Sequence, residues 1–198
     1  TGQTSVTINW RAGEGVARYG PTKAMGLTAT AVAPAPEPFS AKGPYREARI
    51  MGLTENTLYY YSVGGGKSGT FRTPPPRGSS GFVFHVEGDI GNASDWDRMG
   101  PIQEMIAAGK PRFVLCVGDL TYGNSVGQNG VRAHFNDVMT WSLDAAYMPA
   151  WGNHEWDEPL DDDLRNYKGR FDLPNPQSSP ADRKHRYTGG GEDWYWFD

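Results

Sequence analysis

Three short strings in the second half of the chain carry the residue types that do metal chemistry: Gly88-Asp89-Ile90-Gly91, Gly118-Asp119-Leu120-Thr121-Tyr122 and Gly152-Asn153-His154-Glu155. Each closes an apolar run that reads as a strand: Gly81 to Glu87, Phe113 to Val117, and Tyr147 to Trp151. In an open α/β sheet the loops beyond the carboxyl ends of the strands line the ligand crevice. Each strand therefore delivers a glycine, which lets the backbone turn and approach a ligand closely, and then an oxygen donor. Asp89, Asp119, Tyr122 and Asn153 together form an oxygen-rich set suited to hard cations such as ferric iron, manganese or magnesium; carboxylates also serve zinc. Asp119, on the middle string, is the natural bridge between two ions. Such a pair, roughly 3.5–4 Å apart, activates a water and clamps a phosphoryl oxygen. A phenol ionises readily only beside a strong Lewis acid, so Tyr122 as a ligand argues for a trivalent metal. His154 is placed to face a substrate as proton donor or phosphate hydrogen-bonder.

The elements that position these strings alternate strand and helix. Asp95 to Ala108 carries Met99, Ile102, Met105 and Ile106 near helical spacing and stops at Gly109. The fully apolar Phe113–Val117 run predicts a strand covered on both faces, and Val131 to Leu143 reads as a second helix. Residues 1–76 follow another grammar. Ser5 to Trp10 alternates polar and apolar, and Val16–Gly20, Thr28–Val32, Tyr45–Met51, Leu58–Val63 and Ser68–Thr73 follow as short strands between Gly/Pro turns. That spacing predicts an antiparallel β-sandwich. The run Pro74-Pro75-Pro76 followed by Arg77-Gly78-Ser79-Ser80 reads as a linker, so we divide the chain into a sandwich at 1–76, a linker at 77–80 and an α/β domain at 81–198.

Bulk properties narrow the function classes. A formal net charge of −4 with 19 scattered basic residues leaves no footprint for nucleic acid or anionic membranes. The single cysteine, Cys116, excludes an intrachain disulfide and a thiolate zinc cluster. No apolar stretch approaches the ~18–20 residues that span a bilayer. Thr1-Gly2-Gln3 has no signal-peptide features, although a mature secreted chain would look the same. Asp161-Asp162-Asp163 lacks the spaced ligands and glycine of a calcium loop and reads as a solvated acidic turn.

The order GDIG, GDLTY, GNHE resembles the first three of five motifs of the purple acid phosphatases, a branch of the calcineurin-like metallophosphoesterases. Asp89-Ile90-Gly91 and Tyr122 stand where the wider superfamily has Asp-x-His and a second aspartate. Asn9-Trp10, Arg18-Tyr19-Gly20, Gly52-Leu53-Thr54, Tyr59 to Gly64 and Phe71 to Pro75 resemble the fibronectin-III-like domain that precedes the catalytic domain in plant-type members. The resemblance implies that Asp89 and Tyr122 ligate Fe(3+), that Asp119 bridges it to a divalent Fe, Zn or Mn, and that Asn153 ligates the second ion. It implies hydrolysis of phosphate monoesters by direct attack of a metal-bound hydroxide, with His154 assisting as the catalytic residue. It further implies a small phosphate ester as substrate and an extracytoplasmic location, and it leaves a homodimer open. The family also uses a Val-x-x-His and a Gly-His-x-His motif. His85, His134 and His185 are read instead as structural. The aromatic run Trp194 to Phe197, ending at Asp198, resembles the strand before the fourth motif, so the α/β domain is expected to be truncated and the site to be half present. Two alternatives stand beside this: a phosphodiesterase or nucleotide pyrophosphatase on the same scaffold, and a non-catalytic β-sandwich binding module with a vestigial site.

Overall fold

A computed structural model describes residues 4–91, 96–123, 127–156, 164–180 and 191–197, apart from the side chains at 96–98 and 156. The first half is antiparallel. Strands β1 (Val6–Arg11) and β4 (Tyr45–Ile50) pair as one sheet, and β2 (Val16–Gly20), β3 (Leu27–Thr30), β5 (Leu58–Val63) and β6 (Lys67–Arg72) form a second in the order β3-β2-β5-β6. The register sets Ile8 opposite Ala48 and Val6 opposite Ile50, so one face of the first sheet is apolar. In β5 the period-2 pattern sends Tyr59, Tyr61 and Val63 inward. These residues join Ile8, Ala17, Ala48, Ile50 and Leu53 in a core shared by both sheets. Tyr59 stacks on Phe71 of the neighbouring strand at 5.3 Å, a cross-strand pair of the kind that contributes about 0.5–1.5 kcal/mol beyond its buried area.

The second half is a parallel sheet, β7 (His85–Glu87), β8 (Phe113–Val117) and β9 (Ala146–Ala150), with β8 in the middle. Helix α1 (Trp96–Gly109) makes the first crossover, and α2 (Gln128–Asp137) with α3 (Met139–Ser142) makes the second. Two short helices follow, α4 (Asn153–Trp156) and α5 (Arg165–Lys168). Val114, Cys116, Ile106, Val131, Val138 and Trp141 form the core that these crossovers cover. Among the described residues no helix is long and apolar enough to cross a membrane.

Several elements depart from the pattern in the sequence. The apolar run 82–86 is not a five-residue strand: β7 has three residues, and Phe82, Val83, Phe84 and Val86 stay 41–57 % exposed. Only one ladder bond, Arg112 N to Val83 O at 2.8 Å, extends pairing upstream, because β8 begins at Phe113; Phe84 stacks on that ring instead, at 5.1 Å. The helix expected over 131–143 begins at Gln128 and breaks at Val138. In α1 the inward stripe is the buried Gln103 and Ile106 with the half-buried Met99, while Ile102 and Met105 face outward. Gln103 is buried because its amide bridges Trp141 Nε1 and Glu87. The C-terminal aromatic run forms a single bridge, Trp194 to Gln177, rather than a strand.

The two halves are stitched together by polar contacts. Tyr61 Oη donates to Leu143 O at 2.9 Å, Thr70 donates to Asp144 through both its amide and its hydroxyl, and Thr7 Oγ1 donates to Asp172 at 2.5 Å. At Gly69 a Cβ would lie 2.0 Å from Leu143 O, so only glycine permits this approach.

Candidate metal centre

The three glycine-led strings meet beyond the carboxyl ends of β7, β8 and β9, and their small residues allow it. A Cβ on Gly152 would lie 2.3 Å from Asp119 N, one on Gly118 would lie 3.0 Å from Gly152 Cα, and one on Gly91 would lie 2.6 Å from Tyr122 N. The first loop is tied to the second by Asp89 N donating to Gly118 O at 3.2 Å. Asp89, Asp119 and Tyr122 all adopt left-handed backbone, with φ of 56, 52 and 47. Such a conformation costs an L-residue about 1–2 kcal/mol, and a bulky tyrosine tolerates it less well than an aspartate. Strain of this kind persists only where surrounding contacts fix it, and it concentrates at functional sites.

Tyr122 Oη donates to Asp89 Oδ1 at 3.1 Å, bringing the first and second strings into direct contact. Asp119 Oδ1 accepts the backbone N–H of His154 at 3.2 Å, which joins the second string to the third. The His154 ring lies over Tyr122 with centroids 4.1 Å apart. Asn153 is exposed at the start of α4, beside His154. Asp89, Asp119, Tyr122, Asn153 and His154 thus share one edge of the sheet.

Beneath them, Glu155 is 1 % exposed. Its Oε1 accepts Leu120 N at 2.8 Å and Thr121 N at 3.4 Å, and its Oε2 accepts Gly152 N at 2.8 Å. One carboxylate therefore clamps the loop carrying Asp119 to the loop carrying Asn153. Burial pushes the Glu155 carboxyl above its ordinary range, against the pull of the three backbone donors. Thr121, also buried, meets Tyr167 Oη at 2.6 Å and accepts Gly123 N. Tyr167 gave no signal in the sequence, since nothing in its spacing points to a loop 46 residues away.

The chemistry of the donors fits a hard cation. Among the described residues no lysine or arginine pairs with Asp89, Asp119 or Glu155. Their combined negative charge acts on Tyr122, whose phenol is held above its ordinary value by desolvation first, then by the Asp89 hydrogen bond and the charges of Asp89, Asp119 and Glu155. A multivalent cation held there would reverse the direction and favour the phenolate. Among the described residues no three His, Cys, Asp or Glu side chains gather closely enough to enclose an ion. The donors form one open wall of a cradle, made of carboxylate, phenol and amide oxygens.

Among the described residues, the histidines outside this edge serve packing. His85 packs on Gly109, where a Cβ would lie 2.6 Å from its Nε2. His134 closes the string Val131-Arg132-Ala133-His134, whose spacing formally matches Val-x-x-His, contrary to its assignment outside that motif. It is nevertheless 2 % exposed on α2 and bonded to Tyr147 Oη at 2.8 Å, with its pKa lowered to about 3 by burial and then by Arg170. His185 and Asp161 to Asp163 lie outside the described residues. A cavity of about 780 Å³ opens between the two halves near the amino ends of β8 and β9, and none of the candidate metal-centre residues lines it.

The chain matches the calcineurin-like phosphoesterase family over residues 82–195, more than half its length, and belongs to that family. Within it the similarity is to purple acid phosphatases. Purple acid phosphatase 21 of Arabidopsis thaliana is 29 % identical over 147 residues, covering 71 % of this chain and 32 % of the relative. A purple acid phosphatase structure from yellow lupin (Lupinus luteus) seeds shares the fold with a TM-score of 0.62 at 21 % identity, over 86 % of this chain and 37 % of that one. The chain thus spans about a third of the length of these relatives.

Proposed function

We propose that this chain contributes one wall of a binuclear metal site that hydrolyses small phosphate monoesters, as an acid phosphatase of the purple type. Asp89 and Tyr122 would hold Fe(3+), Asp119 would serve both that ion and a divalent Fe, Zn or Mn ion, and Asn153 would hold the second ion. The observation that carries the reading is the meeting of the three strand ends: Tyr122 Oη on Asp89, and Asp119 on the amide of His154. When bound, such an ion pair supplies Lewis acidity and lowers the pKa of a coordinated water. The protein's own part is to hold the donors in place. Glu155 and the glycine contacts fix the separation of the second and third loops, which preorganises oxygen ligands before any ion arrives. His154, anchored through its backbone to Asp119 and with its imidazole packed over Tyr122, would deliver a proton to the departing ester oxygen. The antiparallel half is the fibronectin-III-like companion domain of this branch, and its occurrence there fits an extracytoplasmic enzyme.

The test is hydrolysis of a phenyl phosphate monoester and the matching diester by the iron-loaded protein at acidic pH. Monoester turnover that falls about 10²–10⁴-fold in kcat for His154→Ala supports the reading. Preference for the diester, or a His154→Ala variant as fast as the parent, overturns it.

A further inference from the structure

Helix α5 connects the antiparallel half of the molecule to the metal centre, residue by residue. Arg165 Nε donates to Glu37 O, and its guanidinium lies over the Phe39 ring at 5.4 Å. Asn166 is fully buried: its Oδ1 accepts the backbone N–H groups of Phe39 and Ser40, each at 2.9 Å, and its Nδ2 donates to Gln128 Oε1 at 2.6 Å. Tyr167, 1 % exposed, meets Thr121 Oγ1 at 2.6 Å. At Gly169 a Cβ would lie 2.1 Å from Pro36 O, so the proline-rich segment presses directly on the end of the helix.

We propose that the docking of segment 36–40 onto α5 is a positioning device for the metal centre, in which Asn166 fixes the helix and Tyr167 fixes the loop that carries Asp119 and Tyr122. This rests on the reading of the strand-end loops as a metal site. Three physical points carry it. A helix of four residues has no stability of its own, so α5 stands where its contacts put it. Asn166 Oδ1 grips a pair of amides from the first half, presented by a segment already stiffened by Pro34, Pro36 and Pro38. Tyr122 sits at φ 47, a conformation its own backbone disfavours, and must be held by its loop. That loop is gripped on one side by Glu155, through Leu120 and Thr121, and on the other by Tyr167, through the Thr121 hydroxyl. The β-rich half is thus a working part of the site, acting through the Asn166 and Tyr167 side chains.

The experiment compares wild type, Tyr167→Phe and Asn166→Leu. Tyr167→Phe keeps the ring and removes only the hydroxyl, so it tests the link without disturbing packing. Amide hydrogen exchange is followed in the metal-free protein, and ferric ion is titrated separately, using the visible absorption of the iron phenolate. In Tyr167→Phe, protection at Thr121 and Gly123 should fall while Val114 and Cys116 in β8 keep theirs, and ferric affinity should fall about tenfold. Asn166→Leu should reproduce both changes, and the double variant should fall short of their sum. Unchanged loop protection and unchanged ferric affinity in Tyr167→Phe overturn the positioning role. Wild-type protein that takes up no ferric ion overturns the metal reading itself, which separates the two failures.

Discussion

Replacing Glu155 by glutamine tests whether one buried carboxylate holds two loops of the site together. Three backbone N–H groups point at its oxygens, two at Oε1 and one at Oε2. Glutamine keeps one acceptor oxygen and turns the other position into a donor. If the oxygen stays with Leu120 and Thr121, Gly152 N faces an amide NH2 and loses its partner. A hydrogen bond to a charged group contributes about 1.5–3 kcal/mol, and an orphaned buried donor costs about 1–3 kcal/mol. Part of this is offset because the neutral amide escapes the desolvation that raises the carboxyl's pKa. The net expectation is a loss of about 2 kcal/mol for Glu155→Gln. Glu155→Ala, which leaves all three donors without an acceptor, should cost about 4 kcal/mol. Urea unfolding at neutral pH reads this directly: with a slope of about 2 kcal/mol per molar, the glutamine variant's midpoint should drop by about 1 M. A glutamine variant within about 0.5 kcal/mol of the parent would refute the clamp, since a change that small is typical of an uninvolved surface residue.

Three further outcomes follow from buried ionisable groups. Lys168 and Asp193 pair at 2.7 Å with side chains 2 % and 0 % exposed, so Lys168→Met should cost about 3–5 kcal/mol; Lys168→Met/Asp193→Leu should recover part of it, less the acceptor that Ser179 N loses. His134 is neutral in the fold, its pKa lowered from 6.5 to about 3. The unfolded chain therefore binds the proton first as pH falls, and stability is lost between pH 6.5 and 3 at up to about 1.4 kcal/mol per pH unit. Unfolding midpoints at pH 7 and 4.5 should differ less in His134→Gln than in the parent. Glu192 acts in the opposite sense: burial first raises its pKa from 4.5 to about 7, so the fold keeps a proton that the unfolded chain gives up. Stability from this group is full below pH 4.5 and declines as pH rises towards 7, so Glu192→Gln should melt higher than the parent at pH 8 and equally at pH 4.

The strand-end residues were legible in the sequence because each stands after an apolar run and a glycine, and the glycines prove necessary: a side chain at Gly152 would occupy the space of Asp119. The strands of the first half were legible for a related reason, since period-2 burial in β5 leaves its mark as Tyr59, Tyr61 and Val63. What escaped depends on partners remote in sequence. The spacing in α1 points to Met99, Ile102, Met105 and Ile106; Met99 and Ile106 do face the core, but Ile102 and Met105 face outward and Gln103 turns inward to meet Trp141, 38 residues away. The run 82–86 has a strand's composition, but β8 starts too late to pair with most of it. The grip of α5 on Thr121 and on segment 36–40 has no local pattern, because Asn166 and Tyr167 act across 126 and 46 residues.

The most direct test of the metal centre is elemental analysis of the purified chain after exposure to ferric ion, with Asp119→Asn measured alongside. The expected result is at least one tightly held iron per chain, coloured by the Tyr122 phenolate and lost in Asp119→Asn. Iron that does not bind, or that binds equally well to Asp119→Asn, would contradict the assignment of the three strand ends as a metal site.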